Sequence, residues 1–381
     1  MRIEDIKDRC VGCMACLNNC PNDCIVSEYD DEGFWYPKIN HKKCLNCGKC
    51  EKVCSVINKN ESQKMRISYY GKSKDKTVLE KSTSGGAFFH FANKIIAEGG
   101  NVYAAYFDCT DYILKCKSSD EVGINELLKS KYIENQMAYA ISKIQKDLDL
   151  GRQVLFCGTP CEVSGIKKVC GNNENLILVD FICHGVPSSK IFKEHLEKIK
   201  PKGYLTGIDF RPKDMAWDGK NIRLKTKTKT KTKTKTIPYY LDSFYAGFMT
   251  YKAFLRKACY NCEFRKNHFS DITIADFWGY KQLDIPYEEA KDGLSLIIAN
   301  NDKGNCFIES INGEFDLNRV DNCYSDYVFQ NRDYKKAYQL RGEFYQLYHK
   351  KGFDYAAKHT YMRGIFYKKL KYKIKKLLGV E

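Results

Sequence analysis

The chain has 381 residues, 19 of them cysteine, and a formal net charge of +16. Its length exceeds what one hydrophobic core usually serves, so we expect two or three domains. No apolar run reaches the ~18 residues of a membrane-spanning helix, and the charged start MRIEDIKDRC predicts no secretory leader. We therefore expect a cytoplasmic protein, in which clustered thiols hold metal or carry out redox chemistry more often than they form disulfides.

The positive charge is concentrated in two segments. Six lysines alternate with threonines at 225–236, and residues 361–381 contain six lysines and one arginine against one glutamate. Without these segments the net charge is about +4, which is close to neutral for a protein of this size. We therefore expect no nucleic-acid partner.

The first 57 residues contain nine cysteines and little apolar sequence. Two stretches, CVGCMACLNNCP and CLNCGKCEKVC, share one spacing: three cysteines stand two residues apart, and a fourth follows after three more. In such runs the first three thiolates hold one iron-sulfur cube and the fourth holds the neighbouring cube. The spacing therefore predicts two 4Fe-4S clusters. Cluster one would take Cys10, Cys13, Cys16 and Cys54, and cluster two would take Cys44, Cys47, Cys50 and Cys20.

Zinc is the alternative metal for paired cysteines of this kind. It is disfavoured because a zinc site needs four ligands and no third evenly spaced cysteine. Each run here supplies three such cysteines, and a fourth is shared with the other run. Residues 1–57 resemble the two-cluster bacterial ferredoxins, although Ser55 stands where a second proline is usual and Cys24 is additional. We expect Cys24 to pack against a cluster as a small apolar residue.

A polar linker at 58–66 precedes a region in which strands alternate with helices. STSGGAFFHFANKIIAEGG predicts a glycine loop and an amphipathic helix, and VYAAYF, QVLF and LILVDFI predict strands separated by further helices. This order is typical of an α/β domain with a largely parallel sheet. We place the domain at 67–323, with an N-terminal part at 67–150 and a C-terminal part at 151–323.

The elements after residue 205 are mixed. IDF and IRLKT predict strands, YLDSFYAGFMTYKAFLRK predicts a helix, and residues 324–381 predict a basic, aromatic, helical tail. The Lys-Thr tract at 225–236 is a low-complexity insert whose alternation, in a strand, puts every lysine on one face and every threonine on the other. We expect an extended hairpin tip, since long surface insertions cost little loop entropy. The predicted fold class is thus α+β or α/β, a ferredoxin-like two-cluster domain followed by a mixed α/β domain.

Further cysteines stand where predicted strands end. Cys157 and Cys161 follow QVLF, and Cys183 follows LILVDFI. Because ligands of open parallel sheets gather at the carboxyl ends of the strands, we expect these loops to be neighbours. Cys161 also begins a helix after Pro160, where the helix dipole favours a thiolate.

These cysteines and a CxxC pair in ACYNCEF lead to the hypothesis of a third 4Fe-4S cluster. Its ligands would be Cys161, Cys183, Cys259 and Cys262. The alternative is that some of them are reduced core cysteines, which are common in α/β proteins.

Five motifs occur in the order STSGGAF, KSKYIEN, VLFCGTPCEVSGIK, VDFICHGVP and CYNCEFRKNHFSDITIADFWG. Together they resemble the coenzyme F420 hydrogenase/dehydrogenase beta-subunit family, in the form fused to a ferredoxin. The resemblance implies an oxidoreductase that contains FAD and passes electrons between iron-sulfur clusters and a hydride-carrying partner. It also implies an iron-sulfur centre beside the flavin, with the family's GTPC and CxxC cysteines at Cys161, Cys259 and Cys262. Relatives often carry another small residue at Cys157, which we therefore leave out of the ligand set.

The implied flavin site has one principal candidate loop. No GxGxxG follows a strand, so a Rossmann-type site is not predicted. Ser84, Gly85 and Gly86 form the alternative, because glycines let a phosphate approach the free N–H groups at a helix start. A plain helix cap built from Ser84 explains the same loop equally well.

Four further side chains are weaker candidates. Lys131 and Thr159 can contact the flavin or its phosphates, and Asp276 can contact a ribose or only cap a strand. His184 is the one catalytic candidate, since a histidine titrates near neutral pH and can supply a proton at the flavin. A structural histidine is an equal alternative.

The segment IFYKKLKYKIKKLLG has apolar residues at helical spacing with lysines between them. The apolar positions are Ile365 or Phe366, Leu370, Ile374, Leu377 and Leu378. Such a helix can lie on an anionic membrane surface or dock an acidic protein. Alternatively, it packs on its own domain.

The cofactors and motifs predict an iron-sulfur flavoprotein that passes electrons between 4Fe-4S clusters and a flavin-coupled hydride donor or acceptor. The alternative is a non-catalytic electron-transfer subunit that serves a partner oxidoreductase. The expected partner is a redox protein or a small-molecule hydride carrier.

Overall fold

A computed structural model describes residues 2–59, 66–213, 217, 221–265, 267–320 and 334–364. The N-terminal lobe, residues 2–59, consists of helices α1 (Ala15–Asn18) and α2 (Lys49–Lys52) and the strands β1 (Ile25–Tyr29) and β2 (Trp35–Ile39).

The two cysteine runs of this lobe fold alike. α1 begins after Met14 and α2 begins after Gly48, and both of these residues have a positive φ, 59° and 69° respectively. In each run the helix carries the third cysteine, Cys16 or Cys50. β1 and β2 pair in antiparallel fashion between the two runs. The duplicated spacing in the sequence is therefore a duplicated local structure.

The rest of the described chain forms one large sheet, a smaller sheet and their helices. The strands are β3 (Ile67–Ser73), β4 (Asn101–Asp108), β5 (Ile113–Ser118), β6 (Asn135–Gln136), β7 (Val154–Gly158), β8 (Leu176–Phe181), β9 (Tyr204–Asp209), β10 (Asn221–Lys227), β11 (Thr232–Pro238), β12 (Ile272–Asp276), β13 (Ser295–Ala299) and β14 (Phe315–Val320). The helices are α3 (Lys76–Lys81), α4 (Ala87–Ala97), α5 (Ser119–Val122), α6 (Ile124–Leu127), α7 (Ala140–Asp149), α8 (Pro160–Cys170), α9 (Ser189–Ile199), α10 (Ser243–Tyr245), α11 (Tyr287–Ala290), α12 (Asp302–Glu309) and α13 (Lys335–His359).

The large sheet has the strand order β14-β3-β13-β12-β8-β7-β4-β5-β6. Its central strands β12, β8, β7 and β4 are parallel, whereas β13, β3 and β14 on one side and β5 on the other are added in antiparallel fashion. The α/β fold class is confirmed, and the parallel part is the centre of the sheet. Since β7, β8 and β12 run in one direction, the loops that follow them lie at one edge.

The helix predicted over YLDSFYAGFMTYKAFLRK is shorter than expected. α10 continues as a π-helix, Ala246–Tyr251, and ends at Lys252, whose φ is 56°. Phe254 and Leu255 are then fully buried beyond the end of this helix, and Leu255 bridges to Pro187. Burial of these two side chains overrides the local helical preference.

The Lys-Thr tract forms the tip of the β10-β11 hairpin, as expected. The rungs of this tip are Leu224↔Lys235, Lys225↔Thr234, Thr226↔Lys233 and Lys227↔Thr232. Within each strand the lysines lie on one face, but directly paired residues also share a face, so the hairpin as a whole carries lysines on both faces. No lysine in these rungs is opposite another lysine, which avoids the repulsion of directly opposed like charges. β11 is an edge strand of the three-stranded sheet, and its exposed lysines disfavour pairing with another chain.

Helix α13 occupies part of the predicted tail and packs on an aromatic core. The rings of Phe344 and Phe353 lie 5.2 and 5.9 Å from the ring of Phe254. Gly352, with a φ of 75°, divides the helix into two segments. The amphipathic segment at 365–378 lies outside the described residues. None of the helices that the structure describes is long and apolar enough to cross a lipid bilayer.

A buried ion pair joins the N-terminal lobe to the α/β domain. Arg256, which is 1% exposed, donates hydrogen bonds to the carbonyl oxygens of Cys10 at 3.2 Å and Trp35 at 2.7 Å. It also forms an ion pair with Glu134, whose carboxylate accepts a hydrogen bond from the Trp35 N–H at 3.1 Å. Because both charges are buried, removing one leaves the other without compensation.

Replacing Arg256 by glutamine should lower the free energy of unfolding by about 3–5 kcal/mol, because Glu134 is then buried without its cation. Urea unfolding of anaerobically prepared protein measures this loss. The control is the double variant Arg256→Gln, Glu134→Gln, which contains no unpaired charge and should recover part of the stability. Equal losses in both proteins would contradict the assignment to the ion pair.

Candidate metal centres and flavin site

Four thiols of the N-terminal lobe line one cavity. Its walls are formed by Cys10, Cys13, Cys16 and Cys54 together with apolar side chains that include Ile3, Ile6, Pro37 and Val56. Burial raises the pKa of the Cys13 thiol to about 12, so a thiolate there needs a positive charge such as iron supplies. Four sulfur donors around an apolar cavity fit a 4Fe-4S cube. These are the four cysteines assigned to cluster one.

The cysteines assigned to cluster two form a second group. The sulfur atoms of Cys20 and Cys24 are 3.3 Å apart, and Cys24 also interacts with Cys44. Burial raises the pKa of Cys50, and negative charge on Glu51 and Cys20 adds to this effect. Cys24 is buried beside two of the assigned thiols, where the packing role expected of it requires it to be.

The four cysteines of the hypothetical third cluster come together from three separate segments. Burial raises the pKa of Cys161, and the thiolates of Cys262 and Cys183 raise it further. Cys183 interacts in the same way with Cys259 and Cys262. The N–H of Gly185 donates a hydrogen bond to the Cys183 sulfur at 3.3 Å. The charged neighbours of Cys157, which we excluded, are instead Asp180, Glu162 and Lys131.

None of these groups, within the described residues, is tight enough to bind a single metal ion. A four-iron cube is larger than one ion and holds its thiolates farther apart.

Helix α8 connects the cluster one cavity with the third group of thiols. Its first turn carries Cys161, and Gly165 follows one turn later. A Cβ atom added at Gly165 would lie 2.8 Å from the sulfur of Cys13. Cys13 therefore packs directly on the helix, at a position where only glycine leaves enough space.

The glycine loop at 84–86 does not form the helix cap that Ser84 could have provided. The Ser84 hydroxyl donates a hydrogen bond to the Leu294 carbonyl oxygen at 2.7 Å and does not cap α4. The cap residue is Gly86, in a left-handed conformation with a φ of 92° and no side-chain hydrogen bond. A Cβ at Gly85 would lie 2.3 Å from the Gly71 carbonyl oxygen. The Ser84 cap is therefore wrong, and the helix start carries no capping side chain.

Two half-buried lysines lie in this part of the protein. Lys213 contacts the glycine loop, and Lys131 lies in the loop between α6 and β6. Lys213 donates hydrogen bonds to the carbonyl oxygens of Ser84 and Asp292, both at 2.6 Å, and burial lowers its pKa to about 8. Lys131 donates to the carbonyl oxygen of Leu128 at 2.7 Å, and burial again lowers the pKa to about 8. Neither forms an ion pair with another described residue.

Three other candidates lie at the carboxyl edge of the parallel strands. Thr159 follows β7, caps α8 and has its hydroxyl 3.2 Å from the Cys161 sulfur. His184 follows β8 and is half-buried. Asp276 ends β12 and pairs with Arg211 at 2.5 Å. The glycine loop lies at the same edge, because Gly85 packs on Gly71. Gly71 pairs with Ser295, and Ser295 in turn pairs with Asp276.

Three further charged residues near these candidates are not predicted from the sequence: Arg211, Lys213 and Lys129. Lys129 pairs with Asp209 at 2.6 Å, and the Arg211 guanidinium lies 5.5 Å from the ring of Trp278. Arg211 and Lys213 follow strand β9 of the smaller sheet. Nothing in their local sequence indicates that they turn toward the large sheet.

Two family models match the chain. One describes the carboxyl-terminal part of the beta subunit of coenzyme F420 hydrogenase/dehydrogenase and matches residues 151–322, and the other describes a 4Fe-4S dicluster domain and matches residues 9–57. The Coenzyme F420-dependent sulfite reductase of Methanocaldococcus jannaschii is 42% identical over 43 residues, which are 10% of this chain and 7% of that protein. Ferredoxin-1 of Caulobacter vibrioides is 42% identical over 53 residues, which are 13% of this chain and 42% of that protein.

The chain thus matches less than half of the length of these curated relatives. A solved structure of the F420-reducing [NiFe] hydrogenase complex from Methanosarcina barkeri aligns with a TM-score of 0.47 and 14% identity, covering 75% of this chain and 92% of that one.

The duplicated cysteine runs and the matched dicluster model indicate iron-sulfur clusters bound by residues 9–57. Residues 151–322 are similar to the carboxyl-terminal part of the coenzyme F420 hydrogenase/dehydrogenase beta subunit.

Replacing Gly165 by leucine should displace Cys13 and reduce the iron content by one cluster, or about four irons per chain. Iron analysis of anaerobically purified protein measures this loss. Gly342→Leu is the matched control, since Gly342 also lies within a helix and an added Cβ there meets no atom within 4 Å. Full iron content in Gly165→Leu would contradict the packing argument.

Proposed function

We propose that the protein is an iron-sulfur flavoprotein that passes single electrons between 4Fe-4S clusters and a flavin-coupled hydride donor or acceptor. A flavin exchanges two electrons as a hydride and releases them singly, whereas each cube carries one electron. The observation that carries the proposal is the continuity of the candidate sites. Cys13 packs on α8, the first turn of α8 carries Cys161, and the Thr159 hydroxyl lies beside Cys161.

The third group of thiols would hold the cluster nearest the flavin. Its four cysteines are half-buried. Neighbouring thiolates raise the pKa values of Cys161, Cys183 and Cys259, so the group fits a centre that supplies positive charge. Helix α8 would orient Cys161 with its amino-terminal N–H groups. The N–H of Gly185 would stabilise negative charge on the Cys183 sulfur.

The flavin would lie along the carboxyl edge of the large sheet. The candidates extend from the glycine loop near β3 to Thr159 after β7, which is four strand spacings or about 19 Å. The uncapped start of α4, Lys213 and Lys131 would bind the phosphates of a flavin dinucleotide. Thr159 and Asp276 would contact its other polar groups, and His184 would hold a proton near the flavin ring.

A purely electron-transferring subunit is the second candidate function. It is favoured by the exposure of Cys47 at the cluster two site, which makes exchange with another protein feasible. Reduction of an artificial acceptor by the isolated chain, with a nicotinamide or deazaflavin donor, would favour the oxidoreductase. Absence of turnover by fully loaded protein would favour the subunit.

Anaerobically purified protein should contain about twelve irons per chain, as three cubes require. The variant Cys183→Ser should lose about four, whereas the control Cys157→Ser should lose none, because Cys157 lies outside the four thiols. Iron and sulfide analysis measures both effects. About eight irons in the unmodified protein would disprove the third cluster.

Flavin-free protein should bind FAD, and the affinity should fall as the pH rises from 7 to 9. Lys213 and Lys131 have pKa values of about 8 without ligand. An anionic ligand raises these values, so binding takes up protons and weakens as the free lysines lose charge. Calorimetric titration in buffers of different ionisation enthalpy measures affinity and proton uptake together.

The variant Lys213→Gln should weaken FAD binding by about tenfold or more, the size of a lost charged hydrogen bond. Lys303→Gln is the matched control, because Lys303 also donates to backbone carbonyls but lies near Leu176, at the opposite end of β8. Equal effects of the two variants would contradict the proposed site.

A further inference from the structure

Cluster two is the redox site that reaches the protein surface. Of the twelve cysteines assigned to clusters, all within the described residues, only Cys47 is exposed. Leu45, between Cys44 and Cys47, is 67% exposed. Asn46, with a φ of 51°, turns the loop at this point. An apolar side chain and a cluster thiol are thus presented together to solvent.

An excess of positive charge surrounds this loop. Residues 41–52 contain four exposed lysines, and their single acidic residue, Glu51, is half-buried. The lysines are Lys42, Lys43, Lys49 and Lys52, none of which forms an ion pair with another described residue. Other lysines of the same lobe are compensated: Lys38 pairs with Glu28 at 2.8 Å and Lys59 with Glu263 at 2.7 Å.

We propose that residues 41–52, here called the cluster two loop, form the docking surface for an acidic one-electron carrier protein. The inference rests on the proposed function, because it assigns the site through which electrons enter or leave the clusters. Leu45 would form the apolar centre of the contact, and the four lysines its charged rim. In the transfer, one electron leaves the reduced centre of the carrier and reduces one cube by one unit. No bond forms or breaks, and no proton moves.

Charge complementarity selects this occupant. The four lysines attract a negatively charged partner and raise its association rate by long-range steering. The Lys-Thr hairpin carries comparable positive charge, but none of the assigned cluster ligands lies in it. A partner that responded only to positive charge would use both surfaces, whereas a redox partner must approach Cys47.

The test uses reduced flavodoxin, an acidic protein, as a probe for the full-length, cluster-loaded protein. Its anionic hydroquinone loses one electron to become the neutral semiquinone, whose absorbance is followed by stopped flow. The rate constant for the unmodified protein should fall by about tenfold or more as the ionic strength rises from about 0.01 to 1 M, because the Debye length shrinks from about 30 to 3 Å.

Reversing the charge of the four loop lysines tests whether the carrier protein docks on the cluster two loop. The quadruple variant K42E, K43E, K49E, K52E should lower the rate constant at low salt by about tenfold or more. The matched control reverses four hairpin lysines, K227E, K229E, K231E and K233E, and thus changes the net charge equally; its rate should stay within about twofold. Equal losses in both, or no loss in the first, would overturn the proposal. A separate variant, Leu45→Ser, should lower the rate without changing its salt dependence.

Reduction by dithionite distinguishes a failure of the proposed docking surface from a failure of the proposed function. Dithionite is small and needs no protein docking surface, so the quadruple variant should be reduced as fully as the unmodified protein. Failure of dithionite to reduce the unmodified protein would overturn the proposed function itself. If the quadruple variant loses iron, two other measurements still decide the inference. A rate constant of the unmodified protein that does not change with salt would contradict it, and so would an unchanged rate constant in the double variant K42E, K43E.

Discussion

The contact between Cys13 and Gly165 is the constraint on which the arrangement of the redox sites depends. A side chain at 165 would occupy the space of the Cys13 sulfur, so the close approach of Cys13 to α8 requires a glycine at this position. The ion pair of Arg256 and Glu134 holds the same lobe through the carbonyl oxygens of Cys10 and Trp35. Both contacts involve cysteines assigned to cluster one. The position of that cavity is therefore coupled to the position of Cys161.

Charge at the carboxyl edge of the sheet is only partly balanced. Arg211 and Asp276 form a pair, and so do Lys129 and Asp209. Lys131 and Lys213 instead donate to backbone carbonyl oxygens, which stabilise an ammonium group but do not neutralise it. Their pKa values fall to about 8 because burial disfavours the charged form. Such groups gain stability when an anion binds, which is the physical basis for proposing a phosphate-containing ligand at this edge.

The lysines that contribute to the net charge of +16 are arranged differently in the Lys-Thr hairpin and in the cluster two loop. In the Lys-Thr hairpin, the register sets lysine opposite threonine and spreads the charge over both faces. In the cluster two loop, the lysines surround an exposed leucine and an exposed cysteine. The first arrangement limits repulsion within the protein, and the second is the basis of the proposed docking surface, which would distinguish partners by their charge. The same residue type is thus arranged in two different ways.

The sequence alone determined the parts of the protein that depend on local spacing. The cysteine runs, the strands QVLF and LILVDFI, and the helix after Pro160 are short-range patterns, because ligand spacing and hydrophobic periodicity act within a few residues. The extent of the helix near Tyr245, the faces of the Lys-Thr tract and the cap of α4 were decided by the tertiary structure. In each case, burial or strand register outweighed local preference. The approach of Lys213 to the glycine loop, of Arg211 to Asp276 and of Cys13 to Gly165 joins segments far apart in the chain, and only packing of the folded chain brings them together.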